Sequence, residues 1–197
     1  NANRADALLA GFAAQALAAT GRSIRLIVVD LDNTLWGGVL GEVGVEGVAV
    51  GGDYPGNAFA GFQAVLKQLS QRGIALAICS KNDEAHALRA MEGLGAMALG
   101  PQDFAAWRIN WMPKWKNVED IAATVGLSLE HLLFIDDNPV EREQMQFELP
   151  MVKVLDLPDD PALYASSLLG SPWIDALSLT KEDLNRTNSY KAMEKVS

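Results

Sequence analysis

The sequence predicts an α/β fold, a parallel sheet with helices on both faces, and three observations predict it. Short apolar, β-branched runs alternate with segments in which apolar residues recur at helical spacing. The runs end in acids or a hydroxyl, at Asp30, Ser80 and Asp136-Asp137, where a parallel sheet opens its ligand crevice beyond the strand ends. At 197 residues, with 49% hydrophobic and 21% charged content, the chain can bury one substantial core and is too short to promise two.

Residues 4 to 19 are rich in alanine and leucine and read as a helix ended by Gly21. Ile24 to Val29 is a buried strand, and Asp30 follows it directly. Gly37 to Gly52 interleaves glycine with Val43, Val45, Val48 and Val50, which predicts a flap or small hairpin. From Asn57, the spacing of Phe59, Phe62, Val65, Leu66 and Leu69 predicts a helix that stops at Gly73. Ile74 to Cys79 is the second strand, leading into Ser80-Lys81-Asn82. A helix from Asp83 to about Glu92, a short strand over Ala96 to Leu99 and a helix from about Lys116 to Val125 continue the alternation. Leu132 to Ile135 is a further strand that ends at Asp136-Asp137. A helix from Val140, a strand over Met151 to Leu155 and a helix near Pro161 to Leu169 complete the series. Thr180 to Asp183 forms a capping box that would open a last helix carrying Leu184 and Tyr190. The expected organisation is an N-terminal helix over 1–23, a catalytic core over 24–170 and a helical extension over 171–197 that reads as cut from a longer protein, with Asn1-Ala2 as a tag scar.

Composition narrows the function. A formal net charge of -9 argues against a nucleic-acid or anionic-membrane binder, because phosphate-rich surfaces need a basic footprint. A single cysteine, Cys79, excludes an internal disulfide framework and a cysteine-rich zinc site, and points to a reducing cytoplasm. No stretch approaches the roughly 20 apolar residues of a membrane helix. His86 and His131 are isolated in sequence and start no metal cluster. Trp107, Trp111 and Trp115 fall at helical spacing, but Pro113 would break such a helix, so they read as a partly packed loop.

The chemistry is carried by acids. Asp30 and Asp32, just past a buried strand, repel each other unless a cation, a proton or hydrogen bonds compensate. Magnesium suits them, since it takes oxygen ligands and shares its shell with water and phosphate. Asp136 or Asp137 offers a further acid from a second strand end, while Lys114 and Ser80 supply a charge and a hydroxyl for phosphate oxygens. Lys116 competes with Lys114 for that role, and Ser80 could instead cap the following helix.

In order, Asp30-Leu31-Asp32-Asn33-Thr34, Ser80, Lys114 and Ile135-Asp136-Asp137 resemble the four motifs of the haloacid dehalogenase superfamily. Longer runs, Asp30 to Val39, Asp53 to Asn57, Ile78 to Asn82, Arg108 to Trp111 and Phe134 to Arg142, resemble its FkbH-like glyceryltransferase/phosphatase branch of polyketide pathways across nearly the whole chain. The resemblance implies a Rossmann-like core without a large cap domain. It implies that Asp30 attacks phosphorus, that Asp32 is general acid and base, and that Ser80 and Lys114 hold the phosphoryl group. Magnesium would be held by Asp30, the Asp32 backbone carbonyl and one of Asp136 and Asp137, with Asp137 favoured as ligand and Asp136 as partner to Lys114. It further implies that 1,3-bisphosphoglycerate is dephosphorylated and its glyceryl group moved to the phosphopantetheine thiol of an acyl carrier protein.

Acyl transfer suggests a covalent relay, and Cys79 is the only thiol available, although a free cysteine at a strand end is more often a buried hydrophobe. Lys81, Asn82 and Arg108 could hold a second phosphate, against the plainer reading that they cap helices. Met112 stands where the branch usually has a polar residue before the Pro113-Lys114 pair. Two other readings compete: a stand-alone phosphatase on small phosphate esters or phosphoproteins, and a non-catalytic docking domain for the carrier.

Overall fold

The computed structural model describes residues 24–174. The helix expected over 4 to 19 and the capping box at Thr180 lie outside them. Ile24–Ser167 form one compact unit, and the described residues 168–174 fall outside it. Five parallel strands make its centre: β1 (Leu26–Val29), β2 (Ala75–Ser80), β3 (Ala106–Ile109), β4 (Leu132–Ile135) and β5 (Lys153–Val154), in the order β3-β2-β1-β4-β5. Helices α1 (Leu40–Gly47), α2 (Gly56–Gln71), α3 (Glu84–Gly93), α4 (Lys114–Val125), α5 (Pro139–Glu148) and α6 (Tyr164–Leu169) connect or follow them. This is the α/β sheet the alternation predicts, and neither interval between the acidic and basic motifs holds a cap domain.

β1 lies centrally because it is apolar on both sides; all four of its residues are wholly buried. Its alternate residues Leu26 and Val28, with Ala77, Cys79, Leu132 and Phe134, face a core closed by Val118, Ile121 and Ala122 of α4 and by Met145 and Leu149. Each fully buried Leu or Phe contributes roughly 1.5–3 kcal/mol. The chain winds one way from β1 through β2 to β3 and returns through α4 to β4. The order therefore reverses between β1 and β4, and a crevice opens beyond their carboxyl ends. In register, Val29 pairs with Ile135 and Ile78, so Asp30 leaves the sheet level with Asp136 and Cys79.

Four expectations need correction. Ala96 to Leu99 is not a strand, because side chains of α2 consume its backbone. Gln63 Oε1 accepts from the amides of Ala98 (2.8 Å) and Leu99 (3.3 Å), and Lys67 Nζ donates to the Ala98 carbonyl (2.7 Å). The third strand forms instead at Ala106–Ile109. The glycine-rich segment closes as a flap through the Gly37–Ala49 bridge, but it holds two helical turns joined at Gly44 (φ 68°) rather than a hairpin. The fourth helix starts at Lys114, with Pro113 capping it, so the three tryptophans do not share a loop. Trp107 lies on β3, Trp115 packs from α4 against the core, and only Trp111 is an exposed loop residue.

Candidate active site

Two hydrogen-bonded groups form at the carboxyl ends of β1, β2 and β4. In the first, Lys114 Nζ lies 2.8 Å from Asp30 Oδ2 and 2.6 Å from Asp136 Oδ2. All three side chains are buried. The second oxygen of Asp30 accepts from the Leu31 amide at 2.7 Å, and that of Asp136 from the Asn138 amide at 2.9 Å. Burial pulls the Lys114 pKa down, but the two carboxylates outweigh it and hold the ammonium above the ordinary lysine range. Burial and the Asp30 charge push Asp136 up to about 7 against the opposing pull of Lys114. Lys116 is exposed on the other side of α4's first turn, which leaves Lys114 as the lysine of the site.

The second group centres on Asp32. Its Oδ1 accepts from the Trp36 indole (2.8 Å) and the Leu40 amide (3.1 Å), and its Oδ2 from Asn82 Nδ2 (2.9 Å). Asn82 also reaches Ser80 Oγ at 3.4 Å. Burial pushes the Asp32 carboxyl up most, the Leu40, Trp36 and Asn82 bonds pull it back, and the Asp30 charge adds to the rise. A carboxyl held above its ordinary range at the mouth of such a crevice is suited to proton transfer.

Asp137 completes the acids. One carboxylate oxygen from each of Asp30, Asp136 and Asp137 lies within 4.8 Å of the others. Such a close set of hard oxygen donors, with Asp137 half-buried and open to water, fits magnesium in number and chemistry. Burial first and the Asp30 charge second push Asp137 up, so a divalent cation would relieve a repulsion that Lys114 meets only in part.

Loops lock this arrangement. Thr34 Oγ1 accepts from the Asp137 amide at 3.2 Å, tying the β1 loop to the β4 loop. Asn33 turns through a left-handed conformation (φ 53°), an allowed place for asparagine, and its Oδ1 accepts from the Gly38 amide. Arg142 Nη1 donates to the carbonyls of Asp136 (2.9 Å) and Asp137 (2.8 Å). Thr34, Trp36 and Arg142 all stand inside runs the sequence singles out, yet no pattern marks their partners. The one available signal is that a buried indole N–H requires an acceptor.

Other expected residues fall elsewhere. Arg108 is not in the crevice: its guanidinium is tied to Asp120 and Thr124 along α4 and to the Trp107 carbonyl. Lys81 is ion-paired with Glu141 at the start of α5, and Asn82 spends its amide on Asp32 and Ser80. None of these three is arranged to receive a second phosphate. Cys79 lies beneath Lys114, wholly buried, with its Sγ 3.6 Å from the Lys114 carbonyl. Burial pushes its thiol far above the ordinary range, which leaves it protonated and closed to an acyl donor. Among the described residues, no helix is long and apolar enough to cross a membrane.

No protein-family profile and no curated protein matches the chain. Among solved structures, the N-terminal, phosphatase-domain-containing part of protein BF1531 from Bacteroides fragilis, complexed with Mg, is 39% identical with a TM-score of 0.76. The match covers 79% of this chain and 42% of that one, so the chain spans under half the length of this relative. A haloacid dehalogenase-superfamily hydrolase of subfamily IA from Geobacter sulfurreducens is 11% identical with a TM-score of 0.50, over 74% of this chain and 96% of that one. The five-stranded parallel sheet, its acid-bearing strand ends and these likenesses together give the chain the core fold of the haloacid dehalogenase superfamily, similar in sequence to a magnesium-bound phosphatase domain.

Proposed function

We propose that the chain is a magnesium-dependent phosphohydrolase that works through an aspartyl-phosphate. The observation that carries this is the Lys114 ammonium held between the carboxylates of Asp30 and Asp136, with the raised carboxyl of Asp32 beside Asp30. An Asp30 oxygen attacks phosphorus, the bond to the leaving oxygen breaks, and Asp32 gives that oxygen its proton. Asp32 then takes a proton from water as the water attacks the aspartyl-phosphate, and inorganic phosphate leaves with Asp30 regenerated. Lys114 and Ser80 hold phosphoryl oxygens in this scheme. Asp30, Asp137 and the Asp32 backbone carbonyl would hold the metal, which would supply charge stabilisation of the phosphoryl group. The test is phosphate release from aryl phosphates with magnesium and with chelator. Wild-type chain should release phosphate only with magnesium, and Asp30→Asn should lose about a thousandfold or more; full release by Asp30→Asn would remove the assignment.

The finer proposal is that the phosphorylated substrate is 1,3-bisphosphoglycerate and that a glyceryl group passes to the phosphopantetheine thiol of an acyl carrier protein. Its support is the run-by-run resemblance and an approach that, among the described residues, no cap covers. In that reaction the thiol loses its proton and attacks the C1 acyl carbonyl, the carbon–oxygen bond to the C1 phosphate breaks, that phosphate leaves and a thioester forms. The C3 phosphate is removed by hydrolysis through Asp30 as above. With Cys79 buried and protonated, direct transfer to the carrier thiol is the simpler route. Carrier mass after incubation with 1,3-bisphosphoglycerate and magnesium tests this: glyceryl addition supports it, and an unloaded carrier beside released phosphate leaves a plain phosphatase. Loss of loading in Cys79→Ala with phosphate release intact would restore the relay through Cys79.

A further inference from the structure

A cavity of about 580 Å³ opens beside the acids and has no role in the chemistry above. Asn33 and Asp137 both line it, so it is continuous with the crevice. On one side is the bare flap, where Gly37, Gly38 and Gly47 present backbone alone. Gly37 could carry nothing larger, since a Cβ there would stand 2.7 Å from Phe59. The lining also includes Phe59 and Tyr164, packed edge to face with centroids 6.0 Å apart, and Pro55, Pro158 and Pro161. The Tyr164 hydroxyl donates to the Asn33 carbonyl at 3.1 Å, which fixes the aromatic wall to the nucleophile loop. The hydroxyl of Tyr54, another lining residue, donates to Asp160 at 3.0 Å.

The charge of this lining is one-sided. It includes Asp137 and Asp159, and among the described residues no lysine, arginine or histidine lines it. The cations nearest the acids are committed elsewhere: Lys114 to Asp30 and Asp136, Lys81 to Glu141, and Arg142 to the two β4-loop carbonyls. A bound magnesium would offset Asp137 but not Asp159. Aromatic faces and prolines favour apolar or cationic groups, whereas a carboxylate or second phosphate would meet like charge with no cationic side chain in the described lining to compensate.

We propose that this cavity receives the leaving group of the phosphate substrate and selects uncharged or positively charged groups over those carrying a further negative charge. The proposal rests on the phosphoryl-transfer reading of Asp30. In the glyceryl-transfer scheme it seats the uncharged pantetheine arm once the acyl phosphate has left.

Non-hydrolysable analogues separate the cavity from the chemistry. Benzylphosphonate and its 4-trimethylammonio and 4-carboxy derivatives are titrated calorimetrically into the wild-type chain with magnesium, and phosphate release is followed on the matching phenyl phosphates. The carboxylate should bind at least about tenfold more weakly than the other two. Asp159→Lys, a change on an exposed side chain, should shrink that ratio by about threefold or more. Equal affinities, a tighter carboxylate, no binding at all, or an unchanged ratio in Asp159→Lys overturns the proposal. The expected order without phosphate release upholds the cavity and removes the phosphohydrolase reading instead.

Discussion

Replacing Lys114 with methionine removes the one cation between two buried carboxylates, Asp30 and Asp136, while keeping most of the side-chain volume. Removing one partner from a buried ion pair typically costs about 3–5 kcal/mol, because the remaining charge is left without compensation. For a chain of this length each kcal/mol is worth about 2–4 °C, so Lys114→Met should melt roughly 6–20 °C lower in chelator. The loss should depend on pH with a definite sign. Asp136 titrates near 3.9 when unfolded and about 7 when folded, raised first by burial and next by Asp30. Its stabilising contribution is therefore complete below about pH 4 and is lost as the pH rises through about 7. Lys114 pulls that folded value down, so the variant's value rises further and its stability falls more steeply with pH. The deficit should be small at pH 5 and large at pH 8, and magnesium should recover part of it. Thermal melts at both pH values, with and without magnesium, check this. A variant within about 2 °C of the parent at pH 8 in chelator, or a deficit equal at both pH values, would refute the reasoning.

Asn82→Ala removes a bond that lowers the Asp32 carboxyl, so the alkaline limb of the kcat profile should move to higher pH, and an unmoved limb would detach Asp32 from that limb. Asp137→Asn should weaken magnesium binding about tenfold or more by calorimetry, whereas Asp159→Asn should change it little. Gln63→Leu strands the Leu35 carbonyl and the Ala98 and Leu99 amides and should cost about 3 kcal/mol in urea unfolding. Gly37→Ala drives a Cβ into the Phe59 ring and should cost about 1–3 kcal/mol while distorting the flap.

The strands at β1, β2 and β4 were legible because each is a short apolar run stopped by a polar residue, a local signal that needs no partner. Asp30 and Asp136 could be placed at one level for the same reason, since parallel register sets strand ends side by side. The strand at 96–99 misled because its apolar pattern is real, yet Gln63 and Lys67 approach from 31 to 36 residues away and take the backbone groups a ladder would use. Long-range side-chain capture of this kind leaves no periodicity to read. Arg108 misled similarly: its strand ends near the site, but its guanidinium follows α4 to Asp120 and Thr124.

The acids of the two strand ends differ in a way that the residue types alone do not reveal. Asp136 and Asp137 are chemically identical and adjacent, yet strand alternation buries the first against Lys114 and turns the second toward Thr34 and the cavity. The buried acid therefore fixes the lysine, and the outer acid is the one open to water. An exchange of roles would need Asp136 to leave Lys114 and the Asn138 amide together, giving up a charge-assisted pair and a loop-closing bond at once. The same alternation places Cys79 level with Asp30 but facing the helix-covered core. Its sequence position beside Ser80 thus reflects the strand's inward side, and proximity along the chain is a poor guide to which of the two side chains meets substrate.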